Sequence, residues 1–142
     1  QPDRLRTDES LIGIMPLLLG PRLPPDMASR LLGRLGKGWI TPWGPATERP
    51  TSPLYEPDGY WRGPIWAPTT MLLWDGLLRQ DRPDLAADIA RRFCRTCETS
   101  GMAENFDALT GEGLRDRAFA WTSAVYLIIS AWLARTDQGT QE

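Results

Sequence analysis

Residues 60–78 read YWRGPIWAPTTMLLWDGLL. Seven residues of aromatic, arginine-bearing junction run directly into a helical pattern. A helix is expected from Trp66 or Ala67. Pro68 then falls in its first turn, where a missing N–H costs nothing, and Met71, Leu72, Trp74, Leu77 and Leu78 supply the apolar face. Working outward toward the C-terminus, Pro83–Ser100 repeats apolar residues every four positions (Leu85, Ile89, Phe93), widened by Ala86, Ala90 and Cys97, and Gly101 closes it. A last helix is expected from about Ala118 to Ala134, with residues 135–142 as a frayed tail. Toward the N-terminus, Pro25–Leu35 carries Met27, Leu31, Leu32 and Leu35 on one face, with Gly36 at C′. Before it, a helix capped by Thr7, with Asp8 and Glu9 in its first turn, reads apolar almost all round and stops at Gly20-Pro21.

Two stretches have no period. Residues 37–63 are proline-rich and hold Trp39, Trp43, Tyr55, Tyr60 and Trp61, and residues 101–117 read GMAENFDALTGEGLRDR. Loops this long inside a compact domain are usually functional. The plan of helix, helix, loop, helix, helix, loop, helix contains no useful strand alternation. The fold class expected is therefore all-α, about five helices in hairpins with long aromatic loops.

Composition narrows the chemistry. The chain has 142 residues, sixteen basic against eighteen acidic and a net charge of −2, which leaves no electrostatic footprint for nucleic acid. No apolar run reaches the ~18 residues of a membrane span. Histidine is absent, so Ser-His-Asp, Cys-His and His-metal chemistry are excluded within this chain. Cys94-x-x-Cys97 lies late in a helix without a second pair and reads as a structural, reduced pair. With no visible leader segment, that pair points to the cytoplasm. The chain opens on Gln1, the expectation being an excised or processed chain.

Two motifs remain. Seven tryptophans are dense for this length, and Tyr60, Trp61 and Trp66 concentrate at one loop-to-helix junction. Such rings stack on the C–H face of a sugar, while Tyr60 and Arg62 offer hydrogen bonds to its hydroxyls. The competing expectation is that the rings plug the loop against the core. Glu104 and Asp107 stand in the second loop, and carboxylates are the working groups of glycosidases. The alternative there is an Asx turn made by Asp107 and Thr110, with Glu104 merely on the surface.

Taken in order, several segments resemble the C-terminal part of the catalytic domain of glycoside hydrolase family 63 and its trehalase and glucoamylase-like relatives. They are Leu11–Gly20, Trp39–Gly44, Tyr60-Trp61-Arg62-Gly63-Pro64-Ile65-Trp66, Glu104-Asn105-Phe106-Asp107 with Thr110-Gly111, and Phe119 with Trp121-Thr122-Ser123-Ala124. The resemblance covers residues 8–134. It implies part of an (α/α)6 toroid and inverting hydrolysis of an α-linked glucosyl-type or mannosyl-type sugar. Glu104 is then the general base. Tyr60, Trp61, Arg62, Gly63 and Trp66 line the sugar subsite, and Trp43, Asn105 and Trp121 in the other matched segments join them as candidate substrate-binding residues. It implies no cofactor and no metal. A full toroid needs twelve helices, and the family's general acid is an aspartate from its earlier half. Asp58, Asp75 and Asp107 are not assigned that role. The chain alone is accordingly expected to be inactive, and to pair its exposed apolar faces with the missing N-terminal half or with itself. The alternative expectation is a non-catalytic carbohydrate-binding or structural helical module.

Overall fold

The computed structural model describes residues 9–139. Among these, a 3-10 helix (Leu11–Arg22) is followed by α1 (Pro25–Leu35), α2 (Ala67–Arg79), α3 (Pro83–Ser100) and α4 (Ala120–Gly139). The expected all-α class and count of five helices hold. Both α1 and α3 begin on the proline expected of them, and Gly101 (φ 80°) ends α3 in the left-handed region that glycine tolerates.

The first helix differs from expectation. Thr7 and Asp8 lie outside the described residues. The N-cap is Ser10, whose side chain accepts from the Ile12 N–H, and Glu9 stands before the helix, ion-paired with Arg49. The element is 3-10 rather than α because Pro16 and Pro21 withdraw two of its backbone donors. Its buried residues follow a period of three, namely Leu11, Ile14, Leu17 and Gly20, so Ile12 and Leu19 face outward and the helix is not apolar all round. Gly20 (φ 55°) breaks it, and a Cβ there would lie 3.1 Å from Arg79 Cβ. Gly76 of α2 lets the two backbones approach, since its Cβ would come within 3.2 Å of Leu18 N. Gln80 then donates to the Leu17 and Gly20 carbonyls.

Three smaller differences follow. Gly36 adopts right-handed geometry (φ −65°), and the first left-handed residue after α1 is Gly38 (φ 115°). The last helix starts two residues later than expected and runs to Gly139, since Ala120–Gly139 contains no breaker before that glycine. The rest of the expected tail, residues 140–142, is outside the described range.

The aperiodic loops are not structureless. Strand β1 (Ile40–Thr41) pairs with β2 (Gly44–Pro45), and β3 (Asn105–Phe106) pairs with β4 (Gly113–Leu114), both antiparallel. Isolated bridges join Ala46 to Ile65 and Ile65 to Phe106. A narrow ladder therefore runs from the first loop, through Ile65, into the second. Strands of two residues leave no alternation for sequence reading to detect.

α2 is the packing centre. It lies against the 3-10 helix, α3 and α4. Phe93 meets Phe106 edge-to-face at 6.3 Å, tying α3 to the ladder, and Trp74 meets Trp132 at 5.5 Å, tying α2 to α4. Ile65, just before α2, bridges to Phe106, Ser100 at the end of α3 donates to the Gly111 carbonyl, and Thr122 in the first turn of α4 donates to the Ala103 carbonyl, so the end of the first long loop and the second loop meet beside these helix ends.

Candidate active site

Glu104 is held by its backbone from three sides. Its N–H donates to the Asp116 carbonyl at 2.7 Å. The Thr122 hydroxyl of α4 donates to the Ala103 carbonyl at 2.6 Å. Two residues on, Phe106 exchanges a pair of hydrogen bonds with Ile65, at 2.8 and 3.0 Å. That bridge holds the segment carrying Glu104 against the stretch that leads into α2. The Glu104 side chain is half-buried, and its carboxylate has no hydrogen-bond or salt-bridge partner among the described residues. A held but unpaired carboxylate keeps its lone pairs for a water molecule.

The aromatics form one cluster. Trp61 stacks on Trp66 (centroids 4.1 Å apart, planes 14°), Tyr60 meets Trp66 edge-on at 4.9 Å, and Trp121 of α4 approaches Trp66 at 6.5 Å. Trp66 is only 1% exposed and donates its indole N–H to the Tyr60 carbonyl at 2.8 Å. Its ring is closed to solvent behind Trp61. The rings open to solvent are Tyr60 (45%), Trp61 (41%) and Trp121 (53%). One ring thus plugs the loop against the core while its neighbours face outward. Trp61 borders two grooves. One, of about 280 Å³, is lined by Ser10, Ile12, Thr47 and Thr69; the other, of about 470 Å³, by Met71, Trp121, Val125 and Ile128.

Other residues expected at the site have different surroundings. Asn105 has no exposed surface, so no sugar touches it directly in this conformation, and both its amide atoms are buried without a partner. Gly63 is also buried. A Cβ there would fall 2.0 Å from the Glu56 carbonyl oxygen, so its glycine serves the close approach of two backbone segments. Arg62 is exposed and bonded to Glu56 at 2.7 Å. Trp43 donates its indole N–H to the Leu109 carbonyl and covers Gly111, where a Cβ would lie 2.4 Å from its ring. It braces the second loop and makes no ring contact with the cluster among the described residues.

Asp107 makes the Asx turn weighed above: its Oδ1 accepts from the Leu109 and Thr110 N–H groups, at 2.7 and 2.9 Å. Its charge and burial together push the Tyr55 hydroxyl up to about 12, burial being the larger cause. Asp58 is paired with Arg115 and Asp75 with Arg79. Arg115 escaped the sequence reading; an arginine in a glycine-rich loop, with Arg117 two residues on, carries no pattern. Burial, with Glu98 nearby, raises Cys94 to about 11, and Cys97 higher still, so neither is a ready nucleophile. Among the described residues no cluster of three His, Cys, Asp or Glu side chains could hold a metal ion, and no helix is long and apolar enough to cross a membrane.

Five helices in hairpins, with the aromatic cluster and Glu104 in their connecting loops, form part of the (α/α)6 toroid fold. The chain belongs to the mannosylglycerate hydrolase MGH1-like glycoside hydrolase family, whose model matches residues 2–122. It is 36% identical over 78 residues to a mannosylglycerate hydrolase of Thermus thermophilus, covering 55% of this chain and 19% of that protein. It is 32% identical over 126 residues to mannosylglycerate hydrolase MGH1 of Selaginella moellendorffii, covering 87% of this chain and 25% of that one. The crystal structure of a GH63 mannosylglycerate hydrolase from Thermus thermophilus in complex with Tris superposes with a TM-score of 0.77 at 28% identity, over 87% of this chain and 30% of that chain. The chain therefore spans about a fifth to a quarter of the length of the curated relatives it matches.

Proposed function

We propose that this chain supplies the base-bearing part of an inverting glycoside hydrolase that cleaves α-linked mannosyl or glucosyl groups from glycerate-type glycosides, working within a longer polypeptide. The observation that carries the reading is Glu104: an unpaired carboxylate, backbone-clamped at the end of the helices that presents Tyr60, Trp61 and Trp121 to solvent. The names of the relatives supply the substrate class.

In this reading the C–H face of the sugar lies on Trp61, whose far side is stiffened by Trp66. Glu104 accepts a proton from water as the water attacks the anomeric carbon, and the configuration inverts. The leaving oxygen needs a proton from a second carboxyl about 6.5–9.5 Å away. Asp58, Asp75 and Asp107 are occupied in ion pairs or turn capping, and the resemblance to family 63 implies an aspartate from the earlier half of the domain as the acid. The apolar side chains Leu127 and Ile128 on α4, both exposed, mark the face we assign to the remainder of the toroid. The free, buried Cys94 and Cys97 support a cytoplasmic location.

The test is Glu104→Gln in the full-length polypeptide, with mannosylglycerate and glucosylglycerate as substrates. Turnover should fall by about 10²–10⁴-fold, with binding retained. The first-formed sugar anomer, read by proton NMR, should be inverted. Unchanged turnover would remove Glu104 as base and favour a carbohydrate-binding module.

A further inference from the structure

Two of the non-glycine residues with left-handed backbones, Tyr60 (φ 61°) and Arg115 (φ 62°), touch each other. The Arg115 guanidinium lies 5.1 Å from the Tyr60 ring centroid. Its Nη1 donates to Asp58 Oδ1, and Nη2 reaches the Asp58 carbonyl at 3.5 Å. Such backbones persist only where their surroundings over-determine them, and they gather at functional sites. The next residue, Asp116, accepts the Glu104 N–H through its carbonyl. One dipeptide thus grips the aromatic loop with its arginine side chain and the Glu104 segment with its backbone.

We propose that Arg115 is a positioning residue that fixes Tyr60 relative to Glu104, so that the sugar wall and the carboxylate keep one spacing. This rests on the glycosidase reading above. Three features favour positioning over plain loop support. The Asp58–Arg115 pair is partly exposed, with side-chain exposures of 66% and 31%, and exposed pairs add little to stability. The pair spans 57 residues of sequence, joining the loop before α2 to the loop before α4. Its target is the ring that lies edge-on to both Trp61 and Trp66, at 5.9 and 4.9 Å. A guanidinium over an aromatic face is attracted by the ring quadrupole and restrains the ring without touching the substrate.

The experiment uses Arg115→Gly, Arg115→Lys, Asp58→Ala and the Asp58→Ala/Arg115→Gly double variant of the full-length polypeptide. Glycine accepts the left-handed backbone, so Arg115→Gly keeps or raises the melting temperature while removing the guanidinium. The expected result is a drop in kcat/KM of about 10- to 100-fold at unchanged stability, carried mainly by KM. Lysine should recover part of it by restoring a cation over the ring, and the double variant should be no worse than the worse single one. Acrylamide quenching of tryptophan fluorescence should rise in Arg115→Gly as the ring cluster loosens. Unchanged kcat/KM in Arg115→Gly, or losses that add in the double variant, would overturn the proposal. If Glu104→Gln retains full turnover, the assignment of Glu104 as base falls by itself. The latch is then judged on quenching, where no difference between Arg115→Gly and the parent overturns it.

Discussion

Ile65 and Phe106 exchange two backbone hydrogen bonds, at 2.8 and 3.0 Å, and so fasten the aromatic junction to the loop that carries Glu104. The two residues are fully buried, and Phe106 also packs edge-to-face on Phe93 of α3. One antiparallel bridge thereby converts two segments about forty residues apart into a single end-face of the protein.

Phe106→Ala should be among the most destabilising single changes. It empties a fully buried ring site at the meeting point of α3 and the ladder. The expected loss is about 3–5 kcal/mol in urea denaturation. A loss below about 1 kcal/mol would mean that the ladder is not part of the cooperative core.

Two glycine-to-alanine changes should have opposite signs. Gly33 lies inside α1 with nothing within 4 Å of an added Cβ, so alanine should stabilise by about 0.5–1 kcal/mol. At Gly63 the same Cβ would strike the Glu56 carbonyl oxygen at 2.0 Å. Gly63→Ala must therefore displace the 56–62 turn and lower the midpoint of unfolding. Equal effects at the two positions would refute the close approach.

Asn105 offers a test of stability against function. Its buried amide has no partner, and an apolar side chain of similar shape removes that desolvation penalty. Asn105→Leu should leave the melting temperature unchanged or raise it, while lowering turnover of the full-length polypeptide because the residue follows Glu104 in the chain. A large loss of stability would show that the amide is satisfied in solution, and this outcome is read directly from thermal unfolding.

Stability should decline in alkali. Cys94 has its ionisation raised from an ordinary 9.0 to about 11, and Cys97 is raised further, by burial first. Below pH 9 the thiols are protonated whether the chain is folded or unfolded, so the full stability is present. Above it the unfolded chain ionises first and stability falls, through about pH 11 for Cys94. Tyr55, raised from 10.0 to about 12, acts in the same direction at higher pH. Urea midpoints between pH 8 and 11 should therefore drop, and the Cys94→Ala/Cys97→Ala variant should show a shallower slope. An unchanged slope would exclude the thiols as its cause.

Tryptophans of similar appearance should separate by role. Trp61→Ala should abolish any response to added monosaccharide in a fluorescence or NMR titration, since its ring is the exposed one on the Trp66 plate. Trp43→Ala should instead loosen the 107–111 turn that it covers, seen as faster amide exchange at Gly111. Reversed effects would reassign the two.

The sequence is legible where a rule is local. Proline at N1, a four-residue apolar repeat and a closing glycine set Pro25–Leu35 and Pro83–Ser100 to the residue, because each depends on neighbours within a few positions. The motif strings are legible for the same reason, and so are their competing explanations, such as the Asp107 turn. The 3-10 helix reads in sequence as apolar all round, since its period of three becomes visible only once Gly76 and Gln80 of α2 dock against it. What the chain order settled by itself was the helical class, the hairpin plan and the chemical inventory: a carboxylate, indoles and no imidazole. Which indoles face solvent, which amide is sealed away, and that Arg115 reaches Tyr60 were decided by tertiary structure. Exposure and contact between distant residues are properties of the packed backbone, and single backbone bridges such as Ile65 to Phe106 leave no trace in side-chain patterning.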